Sequence, residues 1–464
     1  MIVWIPTAAA TAEIIFFPLA AAAAIFGLRP LHLESHKKRM LLGAMVFSVL
    51  AKIALASLGH NYDVDSARLI SDILAQGKSV YANTSRYNYG PIWAWLIAGF
   101  GRLAGPGAGE SFHMWMAAFL AMIDVLIAVA IARVYSWAGA MVFLLSPIGL
   151  LITGFHSQFD NLAVLMGLLA WLQIRNGQPK RAALILSAVC LGVSLIVKHI
   201  LFLFPIWLVF WTPLGKLRYR ILYAAIAYGL FAGVFLVWWS DPASRDGIVK
   251  NVFGYKSAYG MSWLGYVIEL FLPVHSLDSL LSWIPGGSGL KTLWMGLMAL
   301  MGATLVRKGV RELYLFYLML LYASSPAMAT QYVAIPMLAA AVFYPAWEGW
   351  AFVAAATFAN LLAKSNVGYL LFQAISRSGL MLVRGHPYNL SDLLDVSAVP
   401  FFLAASQFCV GALFLKQWRQ IGKPAVTIPL WIKMRQAAIL IAAGGLPVVV
   451  SVVRKTMTYG SLGR

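Results

Sequence analysis

The sequence predicts an all-α, polytopic transmembrane helix bundle, and three observations carry that prediction. Of its 464 residues 61% are hydrophobic and only 11% are charged, whereas a soluble domain is roughly 25% charged. Mean hydropathy is +0.80, spread over repeated apolar runs of about twenty residues, the length a helix needs to cross a bilayer. Most Lys and Arg lie in short loops beside those runs, as the positive-inside rule expects. The net charge of +19 therefore points to bilayer lipids, anionic ones above all, and not to nucleic acid. Cys190 and Cys409 both fall in predicted spans and are too few for a disulfide framework. No basic n-region precedes the first apolar run, so no cleavable signal peptide is expected.

Taken in order, the first apolar run covers 11–28 and leads into the basic cluster His36-Lys37-Lys38-Arg39, expected in the cytoplasm. The next span, 40–58, delivers its far end to the extracytoplasmic side. Further basic groups at Arg175/Lys180/Arg181, Lys216/Arg218/Arg220, Arg307/Lys308/Arg311 and Lys416 through Arg435 mark later cytoplasmic loops. Between them spans are expected at 113–133, 136–153, 160–174, 181–197, 200–214, 220–239, 289–306, 312–324, 332–346, 347–363, 394–415 and 436–453. The run from Ile92 to Gly105 is short for a span, so we read it as a dip that returns. Long polar stretches at 240–263 and 364–393 fall on the extracytoplasmic side. The whole chain, 1–464, reads as one membrane domain.

The longest polar interruption of the N-terminal half, 59–91, carries a D-x-D, Asp63 and Asp65. An amphipathic run follows, with Leu69, Ile70, Ile73 and Leu74 on one side, the spacing of a short helix lying on the membrane surface. A Tyr- and Asn-rich turn, Tyr81 to Gly90, is closed by Pro91. So large a first loop exceeds what joining two helices requires, and we read it as the active-site loop. Three further polar sets stand at span ends on the same side: His156, Gln158, Asp160 and Asn161; Lys198 and His199; Thr330, Gln331 and Tyr332. Ionisable groups at membrane depth usually line a cavity or pathway, so an extracytoplasmic polar cavity is expected. Each set also has a plainer reading. A lone D-x-D is commonly solvated loop, Asp160-Asn161 is a plausible N-cap, Lys198 at a helix end would snorkel, and Gln331-Tyr332 would be an interfacial pair. Asp124, in mid-span, must pair or protonate.

Taken together these residues resemble the GT-C class of integral-membrane glycosyltransferases, which use polyprenyl-phosphate-linked sugars. Asp63-Val-Asp65-Ser-Ala-Arg68 resembles the first-loop acidic motif of the N-glycan dolichyl-phosphate-glucose glucosyltransferases. The run from Asp63 through Gly77-Lys78-Ser79-Val80-Tyr81 to Arg86-Tyr87-Asn88-Tyr89-Gly90-Pro91 resembles the GPI-anchor first mannosyltransferase. Gly154-Phe-His156-Ser-Gln158-Phe-Asp160-Asn161 is similar to the His-Phe-Gln-Tyr-Asn element of the glucosyltransferases, and Val197-Lys198-His199 to their Lys-Gln element. Ala329-Thr330-Gln331-Tyr332 is similar to a Thr-Ser-Gln-Tyr of the mannosyltransferase, and Asp124 falls where both relatives carry an intramembrane Asp. Gly90-Pro91 stands where they have Pro-Pro or Thr-Pro, which leaves the sugar and acceptor open.

The resemblance implies a GT-C-like bundle performing an inverting transfer of a hexose, mannose or glucose. The donor would be a polyprenyl-phosphate sugar and the acceptor a lipid-linked glycan or another glycan, met on the outer face of what we expect to be a prokaryotic plasma membrane. Such a step needs a base for the acceptor hydroxyl and cations for the leaving phosphate. On this reading Asp63 is the base, and Asp65 orients it or the acceptor. Lys198, His199 and Arg68 stabilise the phosphate; His156, Gln158, Asp160, Gln331 and Tyr332 face sugar or acceptor; Asp124 is structural or coupling. No cofactor is required, a divalent metal at Asp63/Asp65 being the variant. Two other classes stay open. One is a transporter or lipid flippase, whose inverted repeats we do not see in the sequence. The other is a lipid-linked-glycan polymerase or ligase, with 364–393 (Arg377, Arg384, His386) as its signature loop.

Overall fold

The computed structural model describes residues 18–25, 33–105, 107, 109–254, 289–326, 328–363, 382–383, 386–387 and 390–421. The expected span at 436–453, much of 11–28, and most of the polar stretch 364–393 lie outside the described residues. Among the described residues, apart from one two-residue antiparallel ladder, Leu382–Val383 with His386–Pro387, every regular element is helical. Among the described residues four helices are long and apolar enough to cross a membrane: Ser35–Ser57, Gly109–Val134, Leu217–Trp239 and Val399–Gln420. Two bent pairs raise the number to six if each is one span, Trp137–Leu145 with Pro147–Phe155 (48°) and Arg181–Val197 with His199–Phe210 (120°).

We label the elements that position the site α1 (Ser35–Ser57), α2 (Tyr62–Ala75), α3 (Pro91–Ala104), α4 (Gly109–Val134), α5 (Trp137–Leu145), α6 (Asp160–Ile174) and α7 (Arg181–Val197). Helix α1 packs on α4 and on a π-helical turn, Leu150–Phe155; α6 packs on α7, and α2 on α3. The bundle is built around fully buried rings such as Trp171, Trp207, Tyr314 and Tyr317. The expected span 136–153 is a broken one. Pro147 lacks an amide hydrogen and pushes Ser146 into extended backbone (φ −60°, ψ 127°), which ends α5. The expected spans 181–197 and 200–214 form a single sharply bent pair, because Lys198 is extended (φ −156°, ψ 124°) and ends α7.

The first loop differs from expectation in two ways. Both aspartates belong to the helix itself: Asn61 caps α2, its side-chain oxygen accepting from the Asp63 and Val64 amides at 3.1 and 3.4 Å, so Asp63 and Asp65 sit in the first turn. Acidic residues there are favoured by the helix dipole. The apolar face of α2 is also covered by protein, not laid on a lipid surface. Val64, Ala67, Ile70 and Ile73 are buried while Leu69 is exposed, and Ser71 lies hard against Gly101 of α3. The Tyr-rich turn is likewise folded inward. Tyr87 is fully buried, donating to the Gly90 carbonyl at 2.5 Å and accepting from the Ala94 amide at 2.8 Å. Helix α3 starts on Pro91 and ends at Gly105 with φ +79°, as a Pro-first, Gly-last helix should. Its 14 residues extend about 21 Å, too short to cross a hydrocarbon core of about 30 Å.

Gly90 has ordinary backbone angles (φ −73°), so its need is steric: a Cβ there would run into the carbonyl of Ile196, two residues before Lys198. Gly90→Ala should therefore cost about 1–3 kcal/mol by overpacking, read as a lower thermal midpoint in detergent. Gly43→Ala, where a Cβ meets nothing within 4 Å on α1, should be neutral or slightly stabilising.

Candidate active site

Asp63 stands where three stretches of chain meet. Its Oδ2 accepts from Gln158 Nε2 at 2.5 Å and from Asn61 Nδ2 at 3.2 Å. The Asn61 amide also lies 2.7 Å from His156 Nδ1, which is itself 3.9 Å from Asp63 Oδ2. Burial, with the neighbouring His113 adding to it, pushes the His156 imidazole down to about 3. The ring is therefore neutral and its Nδ1 accepts the Asn61 proton. Asp63 keeps 39% of its side chain open on one side, enough for a hydroxyl to reach it. Enclosure on the other sides pushes its carboxyl above the usual aspartate range, against the opposing pull of Lys198, Asn61 and Gln158, with Asp160 pushing it up further. A carboxylate with raised basicity, held by two amides and open to one side, is suited to accepting a proton.

Behind it lies a buried ion pair. Lys198 Nζ is 2.8 Å from Asp160 Oδ2, and the two side chains are 5% and 0% exposed. Three rings surround the ammonium at 5.0 to 5.4 Å, those of Phe159, Tyr89 and Tyr332. Phe159 in turn stacks on Trp93 of α3 at 4.1 Å. Lys198 is therefore neither snorkelling to an interface nor unpaired, although an ammonium has three donors and this pair uses one. Asp160 is the first residue of α6, and the cap position falls on Phe159 without a side-chain bond, so the N-cap reading of Asp160 does not hold. Two acceptor oxygens of this cluster, Gln158 Oε1 and Asp160 Oδ1, are buried with no protein donor.

Asp124 pairs as a mid-span carboxylate must. Its Oδ2 accepts from Lys52 Nζ at 2.6 Å and Thr153 Oγ1 at 2.8 Å, and its Oδ1 from Asn161 Nδ2 at 2.6 Å. Two other expected residues have partners elsewhere. On a helix of 3.6 residues per turn a two-residue offset points the other way, and Asp65 is exposed and bonded to His60 at 2.9 Å. The guanidinium of Arg68 lies against Gly109 at the start of α4. His199 opens the turn after Lys198 half-buried, and Gln331 is half-buried beside Tyr332. Among the described residues no three His, Cys, Asp or Glu side chains cluster as a metal site. A separate shallow cleft of about 410 Å³ opens between Tyr81–Ser85 and Ala243–Asn251, and neither Asp63 nor Lys198 lines it.

Sequence reasoning missed Lys52, Asn61, Tyr89 and Phe159. Two had signals: a lone Lys inside an apolar run at Lys52, and Asn before an acidic first turn at Asn61. The two rings had none. No family model, no curated protein and no solved structure matches this chain.

Because Gln158 donates to the ionised carboxyl, its removal favours the neutral one. Gln158→Leu should raise the Asp63 pKa further, followed by infrared titration of the carboxyl in detergent with Asp63→Asn as the assignment control.

Proposed function

We propose that this protein is an inverting glycosyltransferase moving a hexose, most simply mannose, from a polyprenyl-phosphate donor to a lipid-linked or other glycan acceptor at the outer face of a prokaryotic-type plasma membrane. One observation carries the reading: Asp63, a carboxylate of raised basicity open on one side, lies within electrostatic reach of the caged Lys198 ammonium, and Gln158 Oε1 and Asp160 Oδ1 are buried without a protein donor. The acceptor hydroxyl loses its proton to Asp63 as its oxygen attacks the anomeric carbon. The bond from that carbon to the phosphate oxygen breaks, and its electrons leave with the phosphate. Lys198 offsets the growing negative charge through space, strengthened by the low-dielectric surroundings. Gln158 Oε1 and Asp160 Oδ1 accept from sugar hydroxyls, and Tyr89 and Tyr332 offer ring faces to the pyranose. Asp65 and Arg68 take no part in this step. Asp65 holds His60 at the mouth instead.

The transporter reading draws on two observations of its own, the bent helix pairs that carry the polar residues and the buried Lys52–Asp124 pair, both of which occur in carriers. Transfer itself separates the two classes. With radiolabelled polyprenyl-phosphate sugars and a membrane lipid extract as acceptor, the wild type should transfer label. Asp63→Asn should fall by about 10²–10⁴-fold, the usual worth of a general base, while still binding donor. Equal turnover in the two proteins would remove Asp63 from the chemistry. Folded wild type that transfers nothing from any donor, yet moves lipid across a vesicle, would replace this reading with the carrier.

A further inference from the structure

The segment 153–161 carries most of the inward side of the site, yet it is not regular helix. It leaves the π-helical turn Leu150–Phe155, passes Ser157 with φ +48°, and enters α6 at Asp160. A serine held at positive φ is costly and persists only where its surroundings over-determine it. Its surroundings here are specific. Thr153, near the start of the segment, and Asn161, at its end, donate to the same buried carboxylate, Asp124 Oδ2 and Oδ1 at 2.8 and 2.6 Å. That carboxylate is in turn held by Lys52 at 2.6 Å, with both side chains 1% exposed. Gly154 completes the contact, since a Cβ there would stand 2.9 Å from the Lys52 Cα. Between the two tethered ends lie His156 and Gln158, the residues that meet Asn61 and Asp63.

We propose that Asp124 is the positioning residue of the site: the Lys52–Asp124 pair, buried between α1 and α4, tethers both ends of the 153–161 segment and thereby seats Gln158 and His156 against Asp63. Asp124 touches no reacting atom. It acts through the backbone path it constrains, and the role rests on the reading of Asp63 and Gln158 as the reactive end of the site. A pair serving only to bind α1 to α4 would need Lys52 alone. Two further donors, eight residues apart and on either side of a left-handed serine, are what a clamp adds.

The test removes the tethers and leaves the ion pair: Thr153→Val with Asn161→Leu, in full-length protein in detergent. The readout is the infrared titration of Asp63, whose charged and polar neighbours are Gln158, Asn61, His156, Lys198 and Asp160. Loss of the seat should reproduce Gln158→Leu, raising the Asp63 pKa, and amides of 154–159 should exchange with deuterium about tenfold faster or more. Lys52→Met with Asp124→Leu provides an independent version, since an apolar pair of similar volume commonly replaces a buried ion pair without loss of the fold. It too should raise the Asp63 pKa. Single Thr153→Val, the mildest change, should move both readouts in the same direction by less. Folded variants with wild-type Asp63 titration and wild-type exchange in 154–159 would overturn the proposal and leave the pair a purely structural bolt. Neither readout needs turnover, so a protein that transfers no sugar would fail the glycosyltransferase reading and still decide this one.

Discussion

A buried charge must find its opposite, and the architecture around the site follows from that requirement. Moving a carboxylate or an ammonium out of water costs several kcal/mol per ion even after relaxation, so Asp124 and Asp160, at 1% and 0% exposure, each have to be met. Lys52 and Lys198 meet them. The partners come from distant parts of the chain, 72 residues apart in the first pair and 38 in the second. Satisfying the charges therefore brings α1 to α4 and the end of α7 to the start of α6. Each pair then has remaining hydrogen-bonding capacity. Asp124 spends it on Thr153 and Asn161, and Lys198 stands among three rings.

The second constraint is on the backbone. In a bilayer every peptide group needs a partner, and irregular chain at membrane depth is tolerated only inside protein or along a wet cavity. The irregular places here coincide with the polar ones: the π turn before His156, the extended Lys198 at a 120° bend, and the short 3₁₀ turn Thr330–Ala334. Regular helix would carry these side chains past one another at fixed pitch. Breaking it lets residues adjacent in sequence, such as Gln158 and Asp160, address different partners at the same depth. Membership in the helical bundle and membership in the site are thus in competition, and the breaks are where the site prevails.

Much of this was legible beforehand. Helix positions at 113–133, 160–174 and 181–197 match α4, α6 and α7 within a few residues, because apolar length and basic flanks report directly on helix ends. That Gln158, Asp160, Lys198 and Tyr332 belong to a common cluster was legible too, since a lone Gln158 or Lys198 in an apolar chain has few structural reasons to be there. Asp124 was recognised as needing a partner, but the partner was not found: Lys52 lies 72 residues away on another helix. The D-x-D shows the same limit from the other direction. Two aspartates one residue apart read as a unit in sequence. Once Asn61 starts a helix at Tyr62, they point to opposite sides, and only Asp63 reaches Gln158.

The sequence by itself therefore determined the helical character of the chain, the ends of helices such as α6 and α7, and which rare polar residues had to be accounted for. Those follow from local quantities, namely apolar length, capping residues and proline, which neighbouring positions are enough to specify. Tertiary structure alone decided who pairs with whom: Lys52 with Asp124, Lys198 with Asp160, Gln158 with Asp63, and α2 against α3 instead of lipid. Those choices depend on distances between residues tens of positions apart. They are settled by the large cost of leaving any one of these charges buried without a partner, and no local pattern encodes that.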